Sequence, residues 1–289
     1  MTNSIINIKG LKREFAVGSE IVKALKGVDK PFVMSTKLGG RPSPFEPQNP
    51  DHLRQSVKES LRLLNRDHVD ILMIHEPDRP GQYDWWTDLE TYQGPVMDVL
   101  DELKADGVIR FMGIGGTTAY EIVPIIETGR FDVILTAFNY SPLWREATHA
   151  VLPAAKAQGM GIVIGSPLQQ GALARRYDDQ VKKGMRWLST PRREQYLALY
   201  EFLDEIGMSL PELGLRFVLS NPDISCVLSG SRSKAEVEDN VASAERGPLP
   251  SEILDRLNEI AKMVPFRPFE EPFGLPFQRD YRGPGLAGR

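Results

Sequence analysis

Two titratable side chains, Lys37 and His75, each stand where a short apolar run stops. Residues 67–77 read Asp-His-Val-Asp-Ile-Leu-Met-Ile-His-Glu-Pro, and the mainly apolar stretch 69–74 ends abruptly on His75. That stretch is too short for a free-standing helix and is bounded by charges and Pro77, so it reads as a buried strand. In a parallel α/β barrel, side chains at the carboxyl ends of strands point into the active-site bowl. Residues 30–40, Lys-Pro-Phe-Val-Met-Ser-Thr-Lys-Leu-Gly-Gly, form a second such run, ending on Lys37. A histidine alone at such a place is more often a core residue bonded to a backbone carbonyl. A lysine on the preceding strand shifts the balance toward acid–base chemistry, because burying it is costly without an anionic partner or a task.

The later strand ends carry, in order, the turn 113–117 with Gly113, Gly115 and Gly116, then Asn139 with Tyr140, Ser166-Pro167-Leu168, and Gly230-Ser231-Arg232-Ser233. The glycines of the turn 113–117 let a flat ring or a phosphate approach the backbone. Gly-Ser-Arg-Ser before a helix offers N–H groups, two hydroxyls and a guanidinium, a phosphate site in physical terms. It also falls where barrels place one, after the last strands. Any one of these segments alone reads as an ordinary turn; their placement on successive strand ends favours a shared site.

The elements that must position these residues follow from periodicity. Strands are expected at 32–36, 69–74, 108–116, 132–140, 161–168 and 225–231. Helices are expected at 18–27, 52–65, 96–106, 119–127, 146–158, 191–206, 211–219 and 234–244, with loops at 39–50, 76–94 and 169–184. Strands alternating with helices imply βα units, a parallel sheet and a single domain over residues 1–289. In the tail, residues 264–289, Phe266, Phe269, Phe273 and Phe277 alternate with Pro265, Pro268, Pro272 and Pro276, which excludes a helix and supplies apolar anchors that must dock. The chain has 289 residues, of which 35 are basic and 39 acidic, giving a formal net charge of −4. That balance gives no electrostatic reason to expect nucleic acid or an anionic membrane as partner. Cys226, the single cysteine, allows no intrachain disulfide and is expected to be a buried small residue. With no run of about 18 apolar residues and no basic-then-apolar leader, the expected location is cytoplasmic.

On Gly18-Ser19-Glu20, Thr36-Lys37, Asp70 to His75, Gly113 to Gly116, Phe138-Asn139-Tyr140, Ser166-Pro167-Leu168 with Gly171 and Leu173, and Gly230 to Asn240, the chain resembles the aldo-keto reductase superfamily over residues 18–260. The likeness is nearest to the branch acting on aldoses and pyridoxal-like compounds. It implies an α/β fold of the (β/α)8 TIM-barrel type, with NADP or NAD passing hydride to a small carbonyl or sugar and a tyrosine supplying the proton. It further implies that Lys37 lowers the tyrosine's pKa, that His75 orients the carbonyl, and that no metal takes part. Gly115, Gly116, Asn139, Ser166, Pro167, Leu168, Gly171, Gly230, Ser231, Arg232, Ser233 and Asn240 would hold the cofactor.

The chain departs from that pattern at its start. Val17 stands in the family tyrosine's place and Lys12 in that of the aspartate paired with the lysine. The residues before them cannot supply the two strands and the helix a full barrel needs. Three resolutions stand open: the barrel is incomplete or rebuilt at its start, Tyr83 of the long loop substitutes as proton donor, or the chain no longer reduces carbonyls. An open barrel would also favour a homo-oligomer, since unpaired strand edges need cover. Glu236 falls where NADPH-preferring members often carry arginine, and its carboxylate repels a 2′-phosphate, while Arg232 opposes it. The functional classes are an NAD(P)-dependent oxidoreductase, a cofactor-binding or regulatory protein without turnover, and a lyase or isomerase using His75 and Lys37.

Overall fold

Residues 32–39, 43–81, 83–267 and 277 are described by the computed structural model. They belong to two compact units. The first takes the described residues up to 115 together with 130–133, and the second takes 116–129 and the described residues from 134 onward. The expected helix at 18–27, together with Val17 and Lys12, lies outside the described residues.

In the first unit, β1 (Ser35–Leu38) pairs in parallel with β2 (Val69–His75), and β2 with β3 (Ile109–Gly116). The β1–β2 ladder is anchored at its start by Asp70: its carboxylate accepts the Met34 N–H at 2.8 Å, and the Asp70 N–H donates to the Met34 carbonyl at 3.0 Å. Regular pairing begins only at Ser35, opposite Ile71, so β1 runs later than the expected 32–36 and takes Lys37 inside the strand. The apolar residues before it are an approach to the sheet, and Val33 is exposed.

Between these strands, α1 (Pro50–Leu64) starts with Pro50 at its first turn and Asn49 as cap, whose side chain accepts the Asp51 N–H at 3.0 Å. It ends on Asn65 in the left-handed conformation and buries Leu53 and Val57, four residues apart on one face. The next helix, α2 (Pro95–Ala105), buries Val96, Met97, Val99, Leu100 and Leu103. A Cβ added to Gly113 of β3 would lie 2.8 Å from Met73 Cγ and 3.2 Å from Ile71 Cγ2. This glycine therefore serves strand packing.

The second unit holds α3 (Val123–Glu127), all but the first residue of β4 (Val133–Ala137), α4 (Val151–Ala157), β5 (Gly161–Gly165), α5 (Asp178–Lys183), α6 (Thr190–Ile206), α7 (Leu210–Leu219), β6 (Cys226–Leu228), α8 (Lys234–Glu245) and α9 (Ser251–Lys262). In both units the strands lie side by side in chain order, and β5 pairs β6 in parallel with Val163 opposite Cys226. The expected helix 146–158 is broken into a 3-10 turn, Glu146–His149, and α4. Pro153 accounts for the break, since it lacks an N–H and its ring crowds the carbonyl four residues back, at His149. The expected loop 169–184 contains α5, and α9 was not anticipated. Cys226 is exposed, against the expectation of burial, because β6 is three residues long and lies at the end of the strand order.

Phe277 is buried among Tyr177, Trp187 and Tyr196, while Phe266 is exposed. Phe269 and Phe273 lie outside the described residues. Six parallel-type strands alternating with helices make this an α/β fold with six of the eight strands of a (β/α)8 barrel among the described residues. No helix among the described residues is long and apolar enough to cross a membrane.

Candidate active site

In the first unit, His75 ends β2 half-buried, opposite Gly115, and the following Glu76 takes a left-handed φ of 49° while its N–H donates to the Gly115 carbonyl at 2.7 Å. Lys37 is opposite Met73, two residues before His75, so parallel pairing puts Lys37 and His75 on the same face of the sheet. The lysine is exposed. Burial lowers the basicity of the imidazole, and the Lys37 charge lowers it further, against the opposing pull of Glu76 and Asp78.

Two indoles tie the long loop to this strand end. Trp85 Nε1 donates to the His75 carbonyl at 2.9 Å, and Trp86 Nε1 donates to the Pro77 carbonyl at 3.1 Å. The loop so held brings the Tyr83 ring to 5.9 Å from the His75 ring, between centroids, and to 5.6 Å from that of Trp85. Phe45 packs at 6.3 Å from the Tyr83 ring. Gly39, with φ +131°, leaves the approach to this pair open: a Cβ there would stand 3.9 Å from Tyr83 Oη and 4.0 Å from His75 Cβ. A neutral imidazole that can donate one hydrogen bond and a phenol that can release a proton are thus neighbours.

In the second unit, β4 and β5 also end on left-handed residues that are not glycine, Phe138 with φ 70° and Ser166 with φ 52°, followed by Gln169 with 51° and Gln170 with 54°. Such residues cost about 1 kcal/mol or more each and gather where backbone geometry serves a site. Asn139 is buried, and its Nδ2 donates to the Thr117 carbonyl and Thr136 Oγ1, both at 3.1 Å. Gln169, 1% exposed, donates from Nε2 to the Phe138 carbonyl and to Ser141 Oγ, both at 3.1 Å. Its Oε1 is buried with no donor among the described residues. Leaving an acceptor so costs about 1–3 kcal/mol unless a ligand N–H fills it. A primary carboxamide on a flat ring, as nicotinamide carries, fits that vacancy in donor chemistry.

The adjoining loop packs tightly. Leu168 Cδ2 would lie 2.8 Å from a Cβ at Gly214 of α7, and the carbonyl of Gly171, with φ +102°, accepts Tyr177 Oη at 3.1 Å. Pro167 is buried and Ser166 half-buried.

Farther along, Asn240 of α8 donates to Ser231 Oγ at 3.0 Å and Ser229 Oγ at 3.3 Å. It forms part of the wall of a cleft of about 640 Å³, with Ala174, Arg175, Arg176, Leu203 and Met208 among the other lining residues. Ser233 caps α8 by accepting the Glu236 N–H at 3.2 Å, and Glu236 Oε2 accepts the Arg232 N–H at 2.5 Å. These two bonds occupy two of the N–H groups that the sequence offered to a phosphate. Gly230 and the side chain of Arg232 are exposed.

The structure therefore gathers Lys37, His75, Tyr83 and Gly115 in the first unit, and Gly116, Asn139, Ser166 to Leu168, Gly171 and Gly230 to Asn240 in the second. Sequence reasoning missed Gln169 and Ser141. Gln169 follows directly on Ser-Pro-Leu, but its burial depends on loop geometry that no periodicity encodes.

A model of the Aldo/keto reductase family matches residues 13–262. The chain is 29% identical over 222 residues to the NADH-specific methylglyoxal reductase of Escherichia coli (strain K12), covering 72% of this chain and 63% of that protein. It is 29% identical over 226 residues to L-galactose dehydrogenase of Arabidopsis thaliana, covering 77% of this chain and 66% of that one. It thus spans a little under two thirds of the length of these two relatives. The apo form of aldo-keto reductase AKR11C1 from Bacillus halodurans matches with a TM-score of 0.63 and 25% identity, over 84% of this chain and 76% of that structure. The family match covers well over half the chain, and with the strand-end residues described above it shows that the chain belongs to the aldo/keto reductase family.

Proposed function

We propose that the chain is an NAD(P)-dependent oxidoreductase acting on a small carbonyl or sugar-like substrate, with Tyr83 as proton donor. The observation that carries this reading is Tyr83 standing beside His75, two proton-bearing groups at the end of β2. When bound, the reduced nicotinamide supplies the hydride. His75, kept neutral near pH 7 by burial, donates an N–H hydrogen bond to the substrate oxygen and orients the carbonyl. The Tyr83 phenol gives its proton to that oxygen as negative charge develops on it, the part that Val17 cannot play. Lys37 stands on the same face of the sheet as His75, where its charge further favours the neutral imidazole.

In the second unit the side-chain amide oxygens of Asn139 and Gln169 would accept from a nicotinamide carboxamide, and the segments at Ser166 to Leu168, Gly171 and Gly230 to Asn240 would hold the rest of the cofactor. NAD ranks ahead of NADP, since the Glu236 carboxylate at the start of α8 repels a 2′-phosphate. The name of the E. coli relative, an NADH-specific reductase, agrees with that order. A second reading, cofactor binding without turnover, is favoured by Val17 in the family tyrosine's place and by the exposure of Lys37.

The test is reduction of a panel of aldehydes and aldoses by the native chain, Tyr83→Phe and His75→Gln, with NADH and NADPH binding followed by nicotinamide fluorescence. Tyr83→Phe is expected to lower kcat about 10²- to 10⁴-fold while NADH affinity holds. Native binding without turnover selects the second reading, and native turnover untouched by Tyr83→Phe removes Tyr83 from the mechanism. Failure to bind either nucleotide rejects both.

A further inference from the structure

The phenol of Tyr83 is held by packing and not by a bond of its own. Among the described residues its hydroxyl makes no hydrogen bond, so the direction of the ring is set by its aromatic neighbours. These are Trp85 at 5.6 Å, His75 at 5.9 Å and Phe45 at 6.3 Å, the last edge-on with planes 82° apart. Trp85 is itself fixed, being fully buried and bonded to the His75 carbonyl. Phe45 leans on that indole too, at 5.8 Å, but it comes from a different loop, the one that joins β1 to α1.

That loop is braced from the start of α1. The Asn49 N–H donates to the Glu46 carbonyl at 3.0 Å, and the Glu46 N–H donates at 3.2 Å to Nδ1 of His52, in the first turn of the helix. From this brace Gln48 reaches across, its Nε2 donating at 2.6 Å to the carbonyl of Asp84, the residue after Tyr83. The loop after β1 thus meets the Tyr83 loop twice, once against the ring and once against the backbone beside it.

We infer that Phe45 and Gln48 are positioning residues for the Tyr83 phenol, so that the loop after β1 completes the proton-donating end of the site at β2. The inference rests on the proposal that Tyr83 is the proton donor. An edge-to-face aromatic pair favours one ring orientation over others, and the amide bond to Asp84 fixes the chain from which that ring projects. Proton transfer is sensitive to such placement, since a shift of about 1 Å in a reacting group costs about 10²-fold in rate. Phe45 has no proton to give and a carboxamide is a poor acid, so neither replaces the phenol.

The test uses the full chain with Phe45→Leu, Gln48→Met and the conservative Phe45→Tyr, each also made in Tyr83→Phe, with thermal midpoints to show that every variant is folded. Aldehyde reduction gives kcat and KM, nicotinamide fluorescence gives NADH affinity, and proton NMR follows the His75 ring, whose resonances the nearby Tyr83 ring shifts. Phe45→Leu and Gln48→Met are each expected to lower kcat about 10- to 100-fold and to move the His75 resonances, while NADH affinity holds and Phe45→Tyr stays close to native. In the Tyr83→Phe background neither should lower kcat further, because both act through the phenol. Full additivity in that background overturns the positioning role, as does a native kcat in both variants when Tyr83→Phe alone is impaired; either result leaves the proton donor standing. Native turnover untouched by Tyr83→Phe overturns donor and inference together. A native chain without turnover refutes the donor proposal, and the His75 resonances then decide the rest: unmoved in both variants they overturn the positioning of Tyr83, and displaced in both they support it.

Discussion

At the end of β2 the imidazole of His75 loses water to burial and faces the like charge of Lys37, and both effects disfavour its protonated form. Its proton should therefore come off below the ordinary value of about 6.5. Above that pH neither the folded nor the unfolded chain carries the charge, and the group costs nothing. As pH falls through about 6.5 the unfolded chain takes up the proton first, so stability declines until the folded state is protonated too. Proton NMR of the imidazole should show a midpoint below that of an unfolded reference, rising when Lys37→Ala removes the neighbouring charge. The loss of stability below about pH 6.5 should be smaller in His75→Gln, measured by urea unfolding across that range. Gly113 gives a prediction of the opposite kind: Gly113→Ala pushes a methyl into Met73 and Ile71, and overpacking of this sort costs about 1–3 kcal/mol. A denaturant midpoint equal to that of the native chain would show that β2 can shift to make room.

Among the elements, α6 holds α9 by a polar contact in an otherwise apolar setting. Gln195, fully buried, donates from Nε2 to the carbonyls of Ile260 at 2.9 Å and Ala261 at 3.3 Å, and its Oε1 accepts from Arg192. These are carbonyls of the last turn of α9, which also accept the Met263 and Val264 N–H groups at 3.2 and 3.1 Å, so the glutamine fills their remaining acceptor capacity. Gln195→Leu should cost about 1–3 kcal/mol, read as a lower urea midpoint with an unchanged slope. Nothing in the sequence marks Gln195, and the same holds for other features that depend on which element meets which. The strands themselves were legible because apolar runs stop at His75, Asn139 and Ser166, and a run that short, flanked by turn residues, has few other readings. Tyr83 was legible only as one aromatic in a long loop; its place beside His75 depends on Trp85 and Trp86 fastening that loop to backbone carbonyls. Gln169 was hidden, because left-handed residues around positions 166–170 turn the chain in a way that apolar spacing does not report. The start of β1 was misjudged since a strand begins where its partner's amides begin, at Ser35 opposite Ile71, and not where the apolar run begins.

For the molecule as a whole, a ligand that binds only the folded chain raises stability by mass action. At a concentration 100 times its Kd the gain is about 2.7 kcal/mol. Scanning calorimetry with increasing NADH should therefore raise Tm steadily, and NADPH should raise it less if the Glu236 carboxylate disfavours the 2′-phosphate. Equal shifts with the two nucleotides would remove Glu236 as a determinant of cofactor choice. With a formal net charge of −4, neither shift should depend on a polyanion-binding surface, and added duplex DNA should leave Tm where it was.

The burial of the indoles has an optical consequence. All four tryptophans of the chain, Trp85, Trp86, Trp144 and Trp187, are buried, two in each unit. Native emission should accordingly be blue-shifted and insensitive to iodide, and unfolding should move it to the red. Trp187 touches Phe277, which stacks on Tyr177, while Trp85 donates to the carbonyl of His75. Keeping one of the four at a time would give each unit its own intrinsic lamp, and reduced nicotinamide, which absorbs in the band where indole emits, would dim each to a different degree as it binds.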